Sequence, residues 1–192
     1  GAAVHIVDVH GNQYRECTVQ DLHDAARIVD KLDNVHFLQR PMVCRDIPNN
    51  YEMDLNTTYN AVMGTKKHVG ASWTEAWHLE KTLELLHMVA GSEEAWRARP
   101  FVSQSNCFVV PPMKFAEESL ECLRIAVEGG MPVLLLSAGQ AGATAPPCLA
   151  GTVSQAWAEC LGGLVYVCLL YTSDAADDSL RVDLGGRRII KK

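Results

Sequence analysis

Two stretches hold the side chains best suited to chemistry: Ser103-Gln-Ser-Asn-Cys-Phe108 and Leu134-Leu-Leu-Ser-Ala-Gly-Gln-Ala-Gly-Ala143. Each places small and amide side chains where an apolar run ends, the level at which α/β folds bind ligands. Gln39-Arg40 and Ser72-Trp73-Thr74-Glu75 follow two earlier apolar runs in the same way. Gln39, Arg40, Trp73, Asn106, Ser137 and Gln140 are therefore expected at one strand-end level. The loop Ser137-Ala-Gly-Gln-Ala-Gly142 could offer backbone N–H groups to an anion. It lacks both G-x-G-x-x-G and G-x-x-x-x-G-K, so no nucleotide motif supports that use, and its glycines serve a tight turn equally well. Cys107 sits where a nucleophile could, but no histidine or acid stands at a recognisable spacing; a lone cysteine is usually a small buried hydrophobe. His78 and His87 share a helix yet miss a metal-ligand interval, and no metal site is expected. Phe37, Trp73 and Phe108 would suit a quaternary ammonium, which is attracted to ring faces and cannot donate a hydrogen bond. The same rings could equally fill the layer behind the strands.

The elements that would position these residues follow a regular period. Apolar runs at Asn34-Val-His-Phe-Leu38, His68-Val-Gly-Ala71, Phe101-Val-Ser103 and Pro132-Val-Leu-Leu-Leu136 start 34, 33 and 31 residues apart. Each is followed by a helical pattern, which predicts parallel strands with helical crossovers in an open doubly wound sheet or a barrel. Thr18-Val-Gln-Asp21 forms a capping box before a stripe of Leu22, Ala25, Ala26, Val29 and Leu32. A second helix starts at Thr74 or Glu75 and ends at Gly91, with Leu79, Leu83, Leu86 and Val89 as a core stripe. Ala116 to Val127 and Leu149 to Leu164 predict two more, the former stopped by Gly129-Gly130. Before the period begins, Val4 to Arg15 predicts a hairpin around Gly11-Asn12.

Composition narrows the class. The chain has 192 residues, a net charge of −6 and 48% hydrophobic residues. Residues 168–192 resemble translated sequencing adapter: Cys168-Leu-Leu-Tyr-Thr-Ser-Asp-Ala-Ala-Asp177 reads as a transposase end and Val182-Asp-Leu-Gly-Gly-Arg-Arg-Ile189 as a flow-cell primer. This tail is set aside from fold reasoning. It carries five basic and four acidic residues, so without it the chain is at −7. An acidic chain lacks the basic face of nucleic-acid binders. The seven cysteines show no C-x-x-C pair or regular spacing, against a disulfide framework or zinc knuckle, and a reducing cytoplasm is the expected setting. Cys148 to Leu170 is the most apolar stretch, but Ser154, Gln155 and Glu159 interrupt it as in a packed helix, so no membrane span is expected.

Several segments in order resemble the trimethylamine methyltransferase family. They are Asp30-Lys-Leu-Asp-Asn-Val-His-Phe37 with Gln39-Arg-Pro41, Met63-Gly-Thr-Lys-Lys-His-Val-Gly70, Leu86-His-Met-Val-Ala-Gly91, Arg97-Ala-Arg-Pro100, Ser103 to Pro112, and Gly139-Gln-Ala-Gly-Ala-Thr-Ala-Pro146 with Leu149-Ala-Gly151. The resemblance implies a (β/α)₈ TIM barrel that moves a methyl group from a methylated amine to the Co(I) corrinoid (cobalamin) of a separate carrier protein. Residues 1–33 would be an N-terminal hairpin and helix, and 34–167 the first half of the barrel, about four βα units. Such a fragment is expected to be inactive alone, with a parallel edge and an open core unpaired. Some members carry a pyrrolysine, expected here beyond Val167; the bacterial character of the sequence points to the variant without it. The implied partners are a cognate corrinoid protein and an amine such as trimethylamine or glycine betaine, with self-association left open. On this reading Phe37, Trp73 and Phe108 contact the cation, and Gln39, Asn106, Ser137 and Gln140 orient the other end. Arg40 suits a betaine carboxylate. A non-catalytic binder of a betaine-like cation and a nucleotide-binding doubly wound module are the competing functions.

Overall fold

The computed structural model describes residues 2–8 and 10–173. Residues 174–192, most of the adapter-like tail, lie outside the described residues. The chain opens with an antiparallel hairpin, β1 (His5–Val7) and β2 (Tyr14–Glu16), with Asn12 in the left-handed region at its turn. Helix α1 (Val19–Lys31) follows the predicted capping box. Thr18 Oγ1 accepts from Asp21 N–H and the Asp21 carboxylate accepts from Thr18 N–H at 2.9 Å, while Arg15 grips that carboxylate at 2.6 and 2.7 Å. A cap of this kind contributes about 0.5–2 kcal/mol. At the other end Lys67 Nζ donates to the carbonyls of Val29, Leu32 and Val35 at 2.7, 2.6 and 2.6 Å, placing a cation on the negative pole of the helix.

The period then unfolds as β3 (Phe37–Gln39), α2 (Asn50–Gly64), β4 (His68–Ala71), α3 (Ala76–Ala90), α4 (Glu93–Ala98) and β5 (Val102–Asn106). After β5 comes a small hairpin, β6 (Val109–Val110) with β7 (Lys114–Phe115), then α5 (Glu117–Glu128), β8 (Val133–Leu135) and α6 (Leu149–Ser173). Helix α2 was not expected from the sequence, and α6 runs nine residues past the predicted Leu164. Gly91 ends α3 at φ 95°, as predicted; below α5 it is Gly130, at φ 69°, that takes the left-handed turn, and Gly129 does not.

The four period strands form one parallel sheet in the order β3-β4-β5-β8. Chain order equals spatial order, with no reversal of the kind that defines a doubly wound sheet. Alternation along the strands separates two faces. Leu38, Val69, Ala71 and Val102 are buried in one cluster with Leu79, Leu83 and Leu86 of α3, Trp96 of α4 and Ile125 of α5. Phe37, Gln39, Leu134 and Leu136 on the other face are exposed, and Ser103 and Ser105 half-buried. All the packed helices thus lie on one side. Four strands do not close a barrel; the described architecture is a parallel sheet layered on one face.

Helix α6 closes the far end of that layer. Gly163 lets Phe108 approach its backbone, since a Cβ there would sit 2.3 Å from the ring. Phe108, Val109, Leu123, Val127 and Val167 form a second core cluster around this contact. By length and composition alone the stretch Leu149–Tyr171 could cross a membrane. Gln155 and Glu159 face the protein body, where Glu159 is buried; the outward face carries Ser154 with exposed Val153, Trp157, Leu161 and Val165.

Candidate functional site

The C-terminal edge of the sheet offers two adjoining environments. On the bare face, Gln39 crosses β4 to reach β5, where its Oε1 accepts from Ser105 Oγ at 3.0 Å. Gly70 makes the crossing possible: a Cβ there would fall 2.1 Å from Gln39 Oε1. Beside it Arg40 Nη2 donates to Ser72 Oγ at 3.1 Å. With exposed Phe37 two residues before Gln39, this is a polar strip with one aromatic ring, reached from solvent.

Between the ends of β4 and β5 and the first turns of α5 lies a cavity of about 220 Å³, whose walls include Trp73, Thr74, Gln104, Asn106, Glu118 and Cys122. Asn106 Nδ2 donates to Ser119 carbonyl at 2.8 Å. Behind the cavity, Asp54 of α2 organises the loop after β4. Its buried Oδ2 accepts from Thr74 N–H at 3.0 Å, Thr74 Oγ1 at 2.7 Å and His78 Nδ1 at 2.7 Å. The Cys122 thiol is pushed up to about 11, first by burial and then by the charges of Glu118, Asp54 and Glu121, so it is an inert wall. Cys107 is exposed, with its Sγ against the Val109 carbonyl. The cysteines among the described residues are all unpaired. Among the described residues no three His, Cys, Asp or Glu side chains cluster as metal ligands.

The expected strand-end residues are therefore divided. Phe37 and Gln39 share the bare face, Arg40 bonds Ser72 at the strand-end edge, and Trp73 and Asn106 line the cavity, which Ser72 and Ser105 join to that edge. Phe108 lies fully buried in the second cluster, so the three rings do not meet in one cage here. Ser137 Oγ donates to Glu159, and Gln140 shapes its own loop, its N–H donating to Thr144 Oγ1 at 2.9 Å and its carbonyl accepting from residues 143 to 145. Gln104, Asp54 and Glu159 escaped the sequence reading. Gln104 had a usable signal: Val102, Gln104 and Asn106 alternate, and so share a face of β5.

Glu159 ties α6 to the sheet edge, accepting from Ser137 Oγ, Met113 N–H and Gln155 Nε2. Burial pushes its carboxyl up, but these three bonds outweigh that and hold it below the usual range. The Asp21 carboxyl is depressed by Arg15 first, and then by Thr18 despite some burial. Carboxyls depressed in the folded state stabilise it above their unfolded value, near 4, and lose that contribution as pH falls through the folded value. Melting temperature is accordingly expected to hold from pH 7 to about 5 and fall below about 4. Glu159→Gln should flatten the acid slope; a slope unchanged by that substitution would remove Glu159 from the account.

Comparison with known proteins agrees with this frame. The family model for trimethylamine methyltransferase (MTTB) matches residues 1–173. A trimethylamine methyltransferase MttB of Desulfitobacterium hafniense (strain DSM 10664 / DCB-2) is 30% identical over 168 residues, covering 86% of this chain and 33% of the relative. An MttB of Methanosarcina thermophila is 29% identical over 155 residues, 76% of this chain and 30% of its own length. A glycine betaine methyltransferase of Desulfitobacterium hafniense (strain Y51) is 29% identical over 161 residues, 83% of this chain and 33% of its own. The chain spans about a third of the length of these curated relatives. With a match that runs from the first hairpin through α6, the chain belongs to the trimethylamine methyltransferase family.

Proposed function

We propose that the full-length protein moves a methyl group from a methylated amine to the reduced corrinoid of a partner protein, on a closed (β/α)₈ barrel of which these four strands form one side. The observation that carries this reading is the bare sheet face, with strands in sequential order, helices on the opposite side, and the polar strip of Gln39, Ser105, Arg40 and Ser72 at its C-terminal edge. Catalytic groups of a barrel stand at that edge. The strip holds no acid–base pair, and the reaction needs none. When the C–N bond breaks, the nitrogen keeps the electron pair and no proton moves in that step. The partner's corrinoid supplies the methyl acceptor. This chain's own residues orient the amine and exclude water, and such positioning can supply most of a displacement's acceleration.

On this face Phe37 offers its ring to the cation and Gln39 fixes the polar end. Arg40 receives a carboxylate where the amine has one. Trp73, Asn106, Ser137 and Gln140 bound the same edge, and Phe108 supports it from behind. Relatives named for trimethylamine and for glycine betaine resemble the chain almost equally, so overall identity does not choose the amine.

The test is methyl transfer to a purified Co(I) corrinoid protein from trimethylamine, glycine betaine and carnitine, using the full-length protein. Transfer from at least one is expected; binding without transfer from any would make it a non-catalytic cation binder. If the amine is a betaine, Arg40→Met should raise KM for it at least tenfold, about 1.4 kcal/mol, with kcat little changed. An unchanged KM would remove Arg40 from substrate binding.

A further inference from the structure

No described element covers the outward stripe of α3. Opposite the leucines that face the core, Trp77, Lys81, Glu84 and Met88 follow one another at intervals of four, three and four residues, the spacing with which one helix packs along another. Trp77 is 46% exposed and Met88 72%. Between them Lys81 Nζ donates to Glu84 Oε1 at 2.8 Å. A groove of about 350 Å³ runs beside the stripe, between α3 and α2, where Tyr51 and Tyr59 belong to its other wall. Tyr51 stacks on Trp77 at 4.7 Å between ring centroids, which makes one end of the face aromatic, while exposed Met88 and Tyr59 form the other end. None of the groove's side chains is a buried polar group lacking a partner, so it offers no directed contact to a small polar ligand.

We propose that the protein pairs with a second copy of itself through this outer face of α2 and α3, the two α3 helices lying antiparallel. The stripe is complementary to its own reverse. Trp77 with Met88, and Lys81 with Glu84, are both centred level with Thr82 and Leu83. Turned end for end about a twofold axis at that level, a second α3 sets its Met88 against Trp77 and its Glu84 against Lys81, and the same two pairs recur across the axis. A thioether packs favourably on an aromatic ring. The two lysines and two glutamates form an alternating ring, in which each Lys81 keeps the Glu84 of its own helix and gains the partner's Glu84. A different protein would not need the same pairs in both directions, so a second copy is the occupant that the spacing favours. Helices of 15 residues are about 22 Å long and two side by side about 20 Å wide, so each copy contributes roughly 440 Å². An area of that size makes a weak, concentration-dependent dimer. The bare sheet face and the Gln39–Arg40 strip stay open in it, whatever reaction the protein performs.

Analytical ultracentrifugation of the full-length protein tests this, alongside oxidation of Met88 by hydrogen peroxide followed by mass spectrometry. The parent should associate as its concentration rises, and Met88 should become protected in step. Lys81→Glu or Glu84→Lys sets four like charges around the axis and should weaken association at least tenfold, with Met88 oxidised as in the dilute parent. Lys81→Glu combined with Glu84→Lys restores the alternation with its signs exchanged and should recover most of the parent's affinity. The melting temperature of the dilute protein should move little in all three variants, because an exposed pair within one helix contributes little, and this separates lost pairing from lost folding. If the full-length protein also assembles through other faces, each single reversal should split that assembly in two. A parent that stays monomeric at millimolar concentration, single reversals that associate as the parent does, or a double reversal that stays dissociated would each overturn the proposal. A monomer whose Met88 is already protected would overturn it too, and would assign the stripe to another part of the same chain.

Discussion

Asp54→Ala is expected to lower the unfolding free energy by about 3 kcal/mol, the upper range for losing hydrogen bonds to a buried acceptor and leaving a buried donor unpaired. Both side chains of the pair are enclosed, at 1% exposure for Asp54 and 1% for His78. Three donors converge on one oxygen: Thr74 N–H, Thr74 Oγ1 and His78 Nδ1. Alanine would leave the buried His78 Nδ1 without its carboxylate, and a stranded buried group incurs its full desolvation penalty, while the exposed Thr74 can turn its donors to water. Against the 5–15 kcal/mol typical of a domain, such a loss is large. Asp54→Asn keeps the volume and one acceptor, so its cost should fall between wild type and alanine. The double replacement Asp54→Leu with His78→Phe should cost less than Asp54→Ala, because it removes donor and acceptor together. Chemical denaturation checks all three. A double variant less stable than the alanine variant would show that the site matters through shape and not through the polar cluster.

The same cluster explains why α2 was hidden in the sequence. A helix is recognised by an apolar stripe, but the inward face of α2 is Asp54, Thr57, Thr58 and Ala61. Three of those four are polar, and their bonds go to α3, to Cys44 and back to the helix's own carbonyls. By contrast α1 and α3 were legible, because a capping box and a glycine stop are local and the leucines of α3 face the core. Strand β4 matched its run residue for residue, since Val69 and Ala71 face the core and Gly70 is small, with only His68 polar. The candidate site was legible only to the level of the strand ends. Which face a strand-end residue takes depends on a single step of register, and one step reverses it. Ser105 and Asn106 are neighbours in sequence, yet one bonds Gln39 on the bare face and the other Ser119 on the helix side. Glu159 read as an interruption of an apolar helix, and its partners lie 22 and 46 residues away.

Phe108→Ala is expected to cost about 3–5 kcal/mol, the range for deleting a fully buried aromatic side chain. The ring is completely enclosed, packed against Phe115 at 5.9 Å between centroids and wedged over Gly163 of α6. Deleting it would open a cavity that α6 cannot refill by sliding inward, because Glu159 fixes its height through Met113 and Ser137. The two effects are coupled, so Phe108→Ala with Glu159→Gln should depart from the sum of the single changes. Gly163→Val approaches the same contact from the other side: its side chain would meet a ring that sits 2.3 Å from the glycine's virtual Cβ, and α6 would have to lift. Phe108→Leu separates core packing from ligand contact. Leucine preserves most of the buried area, so stability should fall by much less than in the alanine variant. If Phe108 supports the site only from behind, amine affinity in Phe108→Leu should equal that of the parent. If the ring touches the cation, affinity should drop at unchanged stability, and the division of the three aromatic residues described above would be wrong for the full-length protein.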